Sequence, residues 1–240
     1  MIPKTGMVLA AGLGLRMRPL TDTMPKPMIK VAGKPLIDHT LDRLAEAGVD
    51  KVVVNAHYRA EMLSRHLAQR NGTGPEIEIS EEAELLETGG GVTKALPLLG
   101  ERFFVVNSDI FWLDGKVPAL ERLARAFDDD SMDALLLFQR TTTAEGLEGA
   151  GDYFLDPMGR ARRRREREIA PYYYGGIQIL SRRLFDHARI ERFSLNRLWD
   201  QAEAAGRLRA IVHDGQWYHI GTPAGLAEAE ERLAEYYFGR

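Results

Sequence analysis

Residues 7–21 read Met-Val-Leu-Ala-Ala-Gly-Leu-Gly-Leu-Arg-Met-Arg-Pro-Leu-Thr, an apolar run that passes directly into glycines. The apolar part, residues 7–11, predicts a buried parallel strand. Glycines directly after such a strand allow backbone N–H groups to approach phosphate oxygens closely. The stretch therefore predicts a phosphate-binding loop outside the carboxyl ends of the strands, where open α/β sheets usually bind ligands.

Two cations follow the glycines. Arg16 stands where a dinucleotide-binding loop has its third glycine, and a large cation there favours a polyphosphate clamp over NAD. Lys26 lies between Pro25 and Pro27, which fix the backbone direction and present the lysine stiffly. A plain structural turn at the glycines and a solvated Lys26 are the alternative interpretations.

Apolar runs and helical spacings alternate over the first 140 residues. The predicted strands after the first cover residues 51–55, 76–80, 102–107 and 133–139, and the predicted helices cover 33–47, 60–69, 88–98 and 117–127. This alternation predicts an α/β fold with a doubly wound, mostly parallel sheet. A hairpin over 152–165, strands at 172–180, 208–213 and 217–220, and helices at 195–205 and 223–237 follow. We therefore predict a single domain over 1–240 with a small C-terminal elaboration.

Composition excludes several classes of function. Of the 240 residues, 45% are hydrophobic and 28% charged, as in ordinary globular proteins. The absence of cysteine excludes disulfides, thiolate zinc sites and a cysteine nucleophile. A net charge of −3 argues against a nucleic-acid partner. The apolar run near the start is too short for a signal-peptide core, and no segment approaches the ~20 apolar residues of a membrane span. We expect a cytoplasmic monomer or weak homodimer without membrane or nucleic-acid partners.

The ordered motifs resemble one enzyme family. Leu-Ala-Ala-Gly-x-Gly-x-Arg at 9–16, Pro-Leu-Thr at 19–21 and Pro-Lys-Pro at 25–27 resemble the N-terminal signature of sugar-1-phosphate nucleotidyltransferases. Further segments in the family's order lie at 33–37, 86–91, 106–109, 174–177 and 217–223. The resemblance implies a Rossmann-like, glycosyltransferase-A-like fold, with a nucleotide-binding half at 1–140 and a sugar-binding half at 141–240. It implies transfer of a nucleoside monophosphate from an NTP to a sugar 1-phosphate, with Mg²⁺ as cofactor and pyrophosphate as product.

Within the family, the short chain, the Leu-Glu-Thr-Gly-Gly-Gly segment and the Ile-Gly-Thr-Pro segment resemble most the uridylyltransferases of N-acetylmuramate 1-phosphate, which act in cell-wall recycling. UTP is then the expected donor. Mannose-1-phosphate guanylyltransferases are the alternative, and a catalytically inactive nucleotide-binding regulator is an alternative from another class.

The resemblance also implies residue roles. Catalysis falls to Arg16, Lys26 and Asp109, and Asp109 is the expected metal ligand because its hard carboxylate follows an apolar strand. The expected nucleotide contacts are Leu9, Ala10, Ala11, Gly12, Gly14, Arg16, Glu82, Gly89 and Gly90. The expected substrate contacts are Lys26, Glu87, Thr88, Asn107, Asp152 and Gly175. Thr88 is also expected to cap its helix. The alternatives are a capping or solvated Asp109, a surface Glu82 and a purely structural Asn107.

Two features depart from a simple assignment. Related enzymes have a second metal aspartate where this chain has His219, and imidazole is a poorer Mg²⁺ ligand. Either Asp109 and the phosphates hold the metal nearly alone, or another carboxylate such as Asp152 assists; His219 contacts metal or phosphate, or only packs locally. The second feature is the basic run 162–165. It is either a solvated hairpin face or a lid that attracts an anionic substrate, such as the lactyl carboxylate of a muramic acid sugar.

Overall fold

The computed structural model describes residues 1–238 and places helices on both faces of one large sheet. The strands are β1 Thr5–Leu9, β2 Lys30–Val31, β3 Lys34–Pro35, β4 Lys51–Ala56, β5 Glu76–Glu81, β6 Arg102–Asn107, β7 Ile110–Leu113, β8 Ala134–Arg140, β9 Tyr153–Leu155, β10 Ala161–Arg163, β11 Tyr172–Ser181, β12 Leu208–Val212 and β13 Gln216–His219. The helices are α1 Leu36–Glu46, α2 Ala60–Ala68, α3 Glu87–Ala95, α4 Ala119–Ala126, α5 Asn196–Ala204 and α6 Pro223–Phe238.

The main sheet runs in the order β12-β8-β11-β6-β1-β4-β5. Every neighbouring pair on this path is parallel except the two that involve β11, which is antiparallel to both β6 and β8. The predicted doubly wound, mostly parallel α/β sheet is therefore confirmed. Ile177 pairs with Val106, so the residues of β11 before Gly176 extend past Asn107, the last residue of β6. The β9–β10 hairpin joins the sheet at this same end, through Tyr172 and Tyr153.

Successive side chains of the central strands point to opposite faces and enter two separate cores. Val52 and Val54 pack with α1, α2 and α4 on one face, whereas Val53 packs with α3 and α5 on the other. Burial on both faces explains why these strands are continuous apolar runs in the sequence. A third core, which includes Met17 and Leu233, lies between α6 and the turn that follows the glycine loop.

The structure corrects two local predictions and shows a strand that was not predicted. β1 ends at Leu9, so Ala10 and Ala11 belong to the loop rather than the strand. The strand β7 was not predicted; it pairs with β13 in a separate ribbon. Helix α3 begins at Glu87 without a side-chain cap, and the Thr88 hydroxyl instead accepts a hydrogen bond from the Leu195 N–H at 2.9 Å.

No helix in the described part of the chain is both long enough and apolar enough to cross a membrane.

Candidate active site

The two glycines of the loop have different structural roles. Gly14 has a φ of +65°, and a Cβ there would lie 2.9 Å from the Thr21 methyl group. The Thr21 hydroxyl donates to the Gly14 carbonyl oxygen at 2.8 Å, which fixes the turn. Gly12 is exposed, and a Cβ there would meet no atom within 4 Å. Gly14 therefore shapes the loop, whereas Gly12 leaves its backbone open to a ligand.

The loop forms one wall of a cleft of about 500 Å³ at the carboxyl ends of β1, β4 and β6. The cleft is lined by Leu9, Ala10, Ala11, Gly12, Leu13, Gly14, Leu15, Arg16, Lys26, Pro27, Asn55, Leu85, Glu87, Thr88, Asn107, Ser108, Asp109, Ser194 and Gly221. The structure thus brings most of the residues expected from the sequence to one surface. Ser194 and Gly221 come from the second half of the chain and were not expected.

The charged groups of the cleft are Lys26, Asp109 and Arg16. The Lys26 ammonium lies 2.9 Å from Asp109 Oδ2, and the two side chains are only 11% and 23% exposed. Burial raises the pKa of Asp109, but the charge and hydrogen bond of Lys26, with the charge of Arg16, outweigh it, so the pKa is lowered overall. Arg16 is exposed and forms no ion pair with any residue of 1–238. The site therefore contains an ionised carboxylate, an ammonium that is paired with it, and an exposed guanidinium that has no ion-pair partner among residues 1–238.

Backbone contacts from both sides hold Asp109 in place. The residue lies between β6 and β7, and the preceding Ser108 hydroxyl donates to the Leu9 carbonyl oxygen at 2.7 Å. The Ile220 N–H donates to the Asp109 carbonyl oxygen at 2.8 Å. These bonds join the carboxylate to both the glycine loop and the segment after β13.

His219 lies behind the cleft wall rather than on it. A Cβ at Gly221 would overlap the His219 imidazole, and Gly221 is the residue that lines the cleft. The imidazole stacks on Trp217 at 6.3 Å between ring centroids, and its Nε2 is buried without a hydrogen-bond partner among the described residues. Burial lowers the pKa of His219, and Lys26 and Arg16 lower it further although Asp109 opposes them. His219 is therefore a neutral imidazole that lies close to Asp109.

The side chains present fit a hard divalent cation held mainly by one carboxylate. Within residues 1–238, no group of three or more acidic, histidine or cysteine side chains converges on one point. Magnesium typically takes one or two carboxylates and completes its shell with water and substrate phosphates, so Asp109 suffices. Asp152 lines a different cavity, and its Oδ2 accepts the Tyr174 N–H at 3.0 Å. The arrangement favours Asp109 as the metal ligand over a shared site with Asp152.

A buried polar chain that the sequence did not reveal supports the loop. The Ala10 N–H donates to Asn55 Oδ1 at 2.7 Å, and Asn55 Nδ2 donates to Glu82 Oε1 at 2.7 Å. The Leu86 N–H donates to Glu82 Oε2 at 2.9 Å, and Glu82 is only 2% exposed. The structure thus gives Glu82 a buried supporting position instead of the expected place against the base. An asparagine inside the otherwise apolar run 51–56 was the available signal.

Three glycines that are expected to contact the ligands also lie in close packing contacts. A Cβ at Gly89 would overlap the Phe193 ring, and one at Gly90 would overlap the Glu191 carbonyl oxygen. A Cβ at Gly175 would lie 2.9 Å from the Leu137 carbonyl oxygen. None of the three lines the cleft. These glycines allow close approach of protein backbone and side chains.

Glu87 and Thr88 do line the cleft, at the start of α3. Glu87 has a φ of +59°, a conformation that costs energy in a residue with a Cβ, and its Oε1 accepts a hydrogen bond from Arg192 Nε at 2.9 Å. Strained backbone is concentrated at functional sites, which agrees with the position of Glu87 in the cleft wall.

Comparison with known proteins agrees with this geometry. The sequence profile of the family described as nucleotidyl transferase matches residues 5–147. The chain is 45% identical to an N-acetylmuramate α-1-phosphate uridylyltransferase from Caulobacter vibrioides, over 97% of this chain and 98% of the relative. It is 35% identical to one from Neisseria meningitidis, over 93% and 96% of the two chains. The crystal structure of an apo UDP-glucose pyrophosphorylase superposes with a TM-score of 0.81 at 18% identity, over 98% and 99%.

The fold and the relatives are those of a nucleotidyltransferase enzyme, and the cleft contains a glycine loop, a lysine and an aspartate. The profile match covers more than half of this chain, and both relatives match almost all of it. The chain therefore belongs to the sugar-1-phosphate nucleotidyltransferases.

Proposed function

We propose that the protein transfers UMP from UTP to N-acetylmuramate 1-phosphate in the presence of Mg²⁺ and releases pyrophosphate. The observation that carries the proposal is the ion pair between Lys26 Nζ and Asp109 Oδ2, which are 2.9 Å apart. The pair lies beside a glycine loop with an exposed Arg16. The two relatives that match over almost their whole length support the choice of uridylate and of the muramic acid sugar. Because UTP is made inside cells, we also place the reaction in the cytoplasm, in the reuse of cell-wall sugars.

The reaction needs no general base. The second pKa of a phosphate monoester is about 6, so the acceptor phosphate is already ionised near neutral pH. One of its oxygens attacks the α-phosphorus of UTP and forms a P–O bond. The bond from the α-phosphorus to the bridging oxygen breaks on the opposite side, and pyrophosphate leaves with the electron pair. Catalysis then consists of positioning and charge stabilisation.

Each part of positioning and charge stabilisation belongs to different residues of the cleft. The free amides of the glycine loop and Arg16 bind the β- and γ-phosphates, which become the leaving group. Lys26 neutralises the α-phosphate, where negative charge builds up. Asp109 would hold Mg²⁺, which when bound supplies further positive charge to the phosphates. The buried Asn55–Glu82 chain keeps the Ala10 amide directed inward, which fixes the conformation of the loop.

The test is pyrophosphate release from a matrix of UTP and GTP against N-acetylmuramate 1-phosphate and mannose 1-phosphate. We expect the highest kcat/KM for UTP with N-acetylmuramate 1-phosphate, loss of turnover with EDTA and recovery with added Mg²⁺. A preference for GTP with mannose 1-phosphate would overturn the proposed substrates. Nucleotide binding without pyrophosphate release from any pair would indicate a regulator instead.

A further inference from the structure

A second cavity, of about 460 Å³, lies where β11 begins. It is lined by Asp152, Tyr153, Arg163, Arg164, Glu166, Tyr174, Asn196 and Trp199. Because β11 runs against β6 and Ile177 pairs with Val106, Tyr174 lies past the end of β6, on the side where Asp109 follows. The segment 194–196 also connects the two spaces, since Ser194 lines the cleft and Asn196 lines the cavity. An acceptor whose phosphate lies at Asp109 therefore has this cavity beside it.

The cavity contains polar groups without partners. The hydroxyl oxygens of Tyr153 and Tyr174 are buried and have no hydrogen-bond partner among the described residues. Within residues 1–238 the Asp152 carboxylate accepts the Tyr174 N–H through Oδ2, and Oδ1 has no partner. The two hydroxyl oxygens are closed off from solvent, so the free Oδ1 of the half-buried Asp152 is the acceptor that remains for a polar ligand in the cavity.

Two arginines of the basic run 162–165 are already neutralised. Arg162 makes a two-pronged contact with Glu168, at 2.8 and 3.2 Å, and its guanidinium lies over the Phe154 ring. Arg163 lies 3.1 Å from the Asp200 carboxylate. Each of these two guanidiniums therefore already has a carboxylate counter-ion.

Arg164 differs from these two. Its Nε donates to the Gly151 carbonyl oxygen at 2.6 Å, and its Nη1 lies within 3.4 Å of the carbonyl oxygens of Arg165, Glu166 and Glu168. No carboxylate within residues 1–238 lies at ion-pair distance from Arg164, and its Nη2 has no partner there. Arg164 is therefore a half-buried cation that is held by backbone carbonyls and has no carboxylate of residues 1–238 within 4.0 Å.

We propose that Arg164 binds the lactyl carboxylate of the acceptor sugar in this cavity, while Asp152 accepts a hydrogen bond from a sugar hydroxyl. The inference rests on the proposed function. An arginine–carboxylate hydrogen bond is charge-assisted, and the backbone carbonyls already hold this guanidinium, so little conformational entropy is lost on binding. Glu166 also lines the cavity, but it is exposed, and solvent weakens its repulsion of a bound anion. Arg164 then selects an acidic sugar over the same sugar without its lactyl group.

The test compares N-acetylmuramate 1-phosphate with N-acetylglucosamine 1-phosphate, which lacks only the lactyl ether, both with UTP. Arg164→Gln should lower the ratio of the two kcat/KM values roughly 10- to 100-fold, the worth of a hydrogen bond to a charged group. Arg165→Gln is the matched control, since Arg165 is exposed and does not line the cavity, and its ratio should stay as in the wild type. An unchanged ratio in Arg164→Gln overturns the inference.

A change on the ligand side makes the test independent of folding. With the wild-type protein, the methyl ester of the lactyl group should lose as much kcat/KM as Arg164→Gln loses with the free acid. An ester that reacts as well as the acid overturns the inference even if Arg164→Gln does not fold. If the wild type converts N-acetylmuramate 1-phosphate but Arg164→Gln slows both acceptors equally, only the inference fails. If the wild type does not convert this sugar at all, the proposed function fails.

Discussion

At the scale of single residues, the Lys26–Asp109 pair is the centre of the proposed site, because Lys26 suits the α-phosphate and Asp109 suits the metal ion. The pair is mostly shielded from solvent, so its electrostatic effects are stronger than those of a surface pair. Because the two charges neutralise each other, neither is left uncompensated in the cleft wall before substrate binds.

Lys26→Ala should lower kcat about 10²- to 10³-fold, since a preorganised donor at a site of developing charge is worth that much. The protein should stay folded, because Asp109 is 23% exposed and water can replace the ammonium. Steady-state pyrophosphate release and thermal unfolding measure the two effects. Lys30→Ala, at an exposed position nearby, is the control; near-normal turnover of Lys26→Ala would refute the catalytic role.

Gly14 and Gly12 should respond differently to alanine. Gly14→Ala forces a Cβ into a left-handed conformation beside Thr21 and should cost about 1–3 kcal/mol of stability. Gly12→Ala meets no neighbouring atom, so its stability should change by no more than about 0.5 kcal/mol while its KM for UTP rises. Urea unfolding and nucleotide kinetics separate the two; equal destabilisation would contradict this division of roles.

At the scale of elements, the Asn55–Glu82 chain connects the end of β1, the strand β4 and the segment before α3. Glu82→Gln replaces one acceptor by a donor that faces another donor, and should cost about 1–3 kcal/mol for a buried group left unsatisfied. Glu81→Gln, at the exposed neighbour, should be nearly neutral in the same urea titration. Equal effects of the two substitutions would show that the chain contributes no stability.

The packing of α3 against the segment before α5 can be tested by substitution at Gly89. Gly89→Ala should destabilise the fold by about 1–3 kcal/mol, because the added methyl overlaps the Phe193 ring. The double variant Gly89→Ala/Phe193→Leu should recover part of that loss, since the two sites are in contact and their effects are not additive. Additive losses in thermal unfolding would indicate that the ring is not the obstacle.

The sequence predicted those elements and site residues whose signals are local. Residues 51–56 and 102–107 form strands because their apolar runs are buried on both faces, and Gly14, Lys26 and Asp109 belong to short motifs. Strand β7 was missed because its partner β13 is remote in sequence. The packing of Gly89 and Gly90 against Phe193 and Glu191 was missed for the same reason. Glu82 was misread because its partners come from other elements.

At the scale of the whole molecule, buried histidines make stability depend on pH. His213 Nε2 contacts the carbonyl oxygens of Leu113 and Gln216, each at 3.2 Å, so Nε2 carries the proton of a neutral ring. Burial lowers the pKa of His213 from 6.5, although these hydrogen bonds oppose the shift; burial likewise lowers the pKa of His39. Protonation is therefore easier in the unfolded chain than in the folded one.

The free energy of unfolding should thus be at its full value above pH 6.5 and fall as the pH drops through 6.5 toward the lower folded pKa values, because the unfolded chain then binds protons that the folded chain does not. His213→Gln keeps a donor for the two carbonyls but does not titrate. Urea titrations between about pH 7.5 and 5.5 should show a shallower fall in this variant. A fall as steep as in the wild type would exclude His213 as a contributor.

The reversed direction of β11 has a consequence for how selectivity can evolve. Its first residues touch the hairpin side, whereas the residues that pair with β6 lie deep in the sheet. Under the proposed function, the donor is recognised by the glycine loop after β1 and by residues 85–88, at the other side of the same edge. We therefore expect insertions or charge changes between β8 and β11 to alter the choice of sugar with little effect on nucleotide binding.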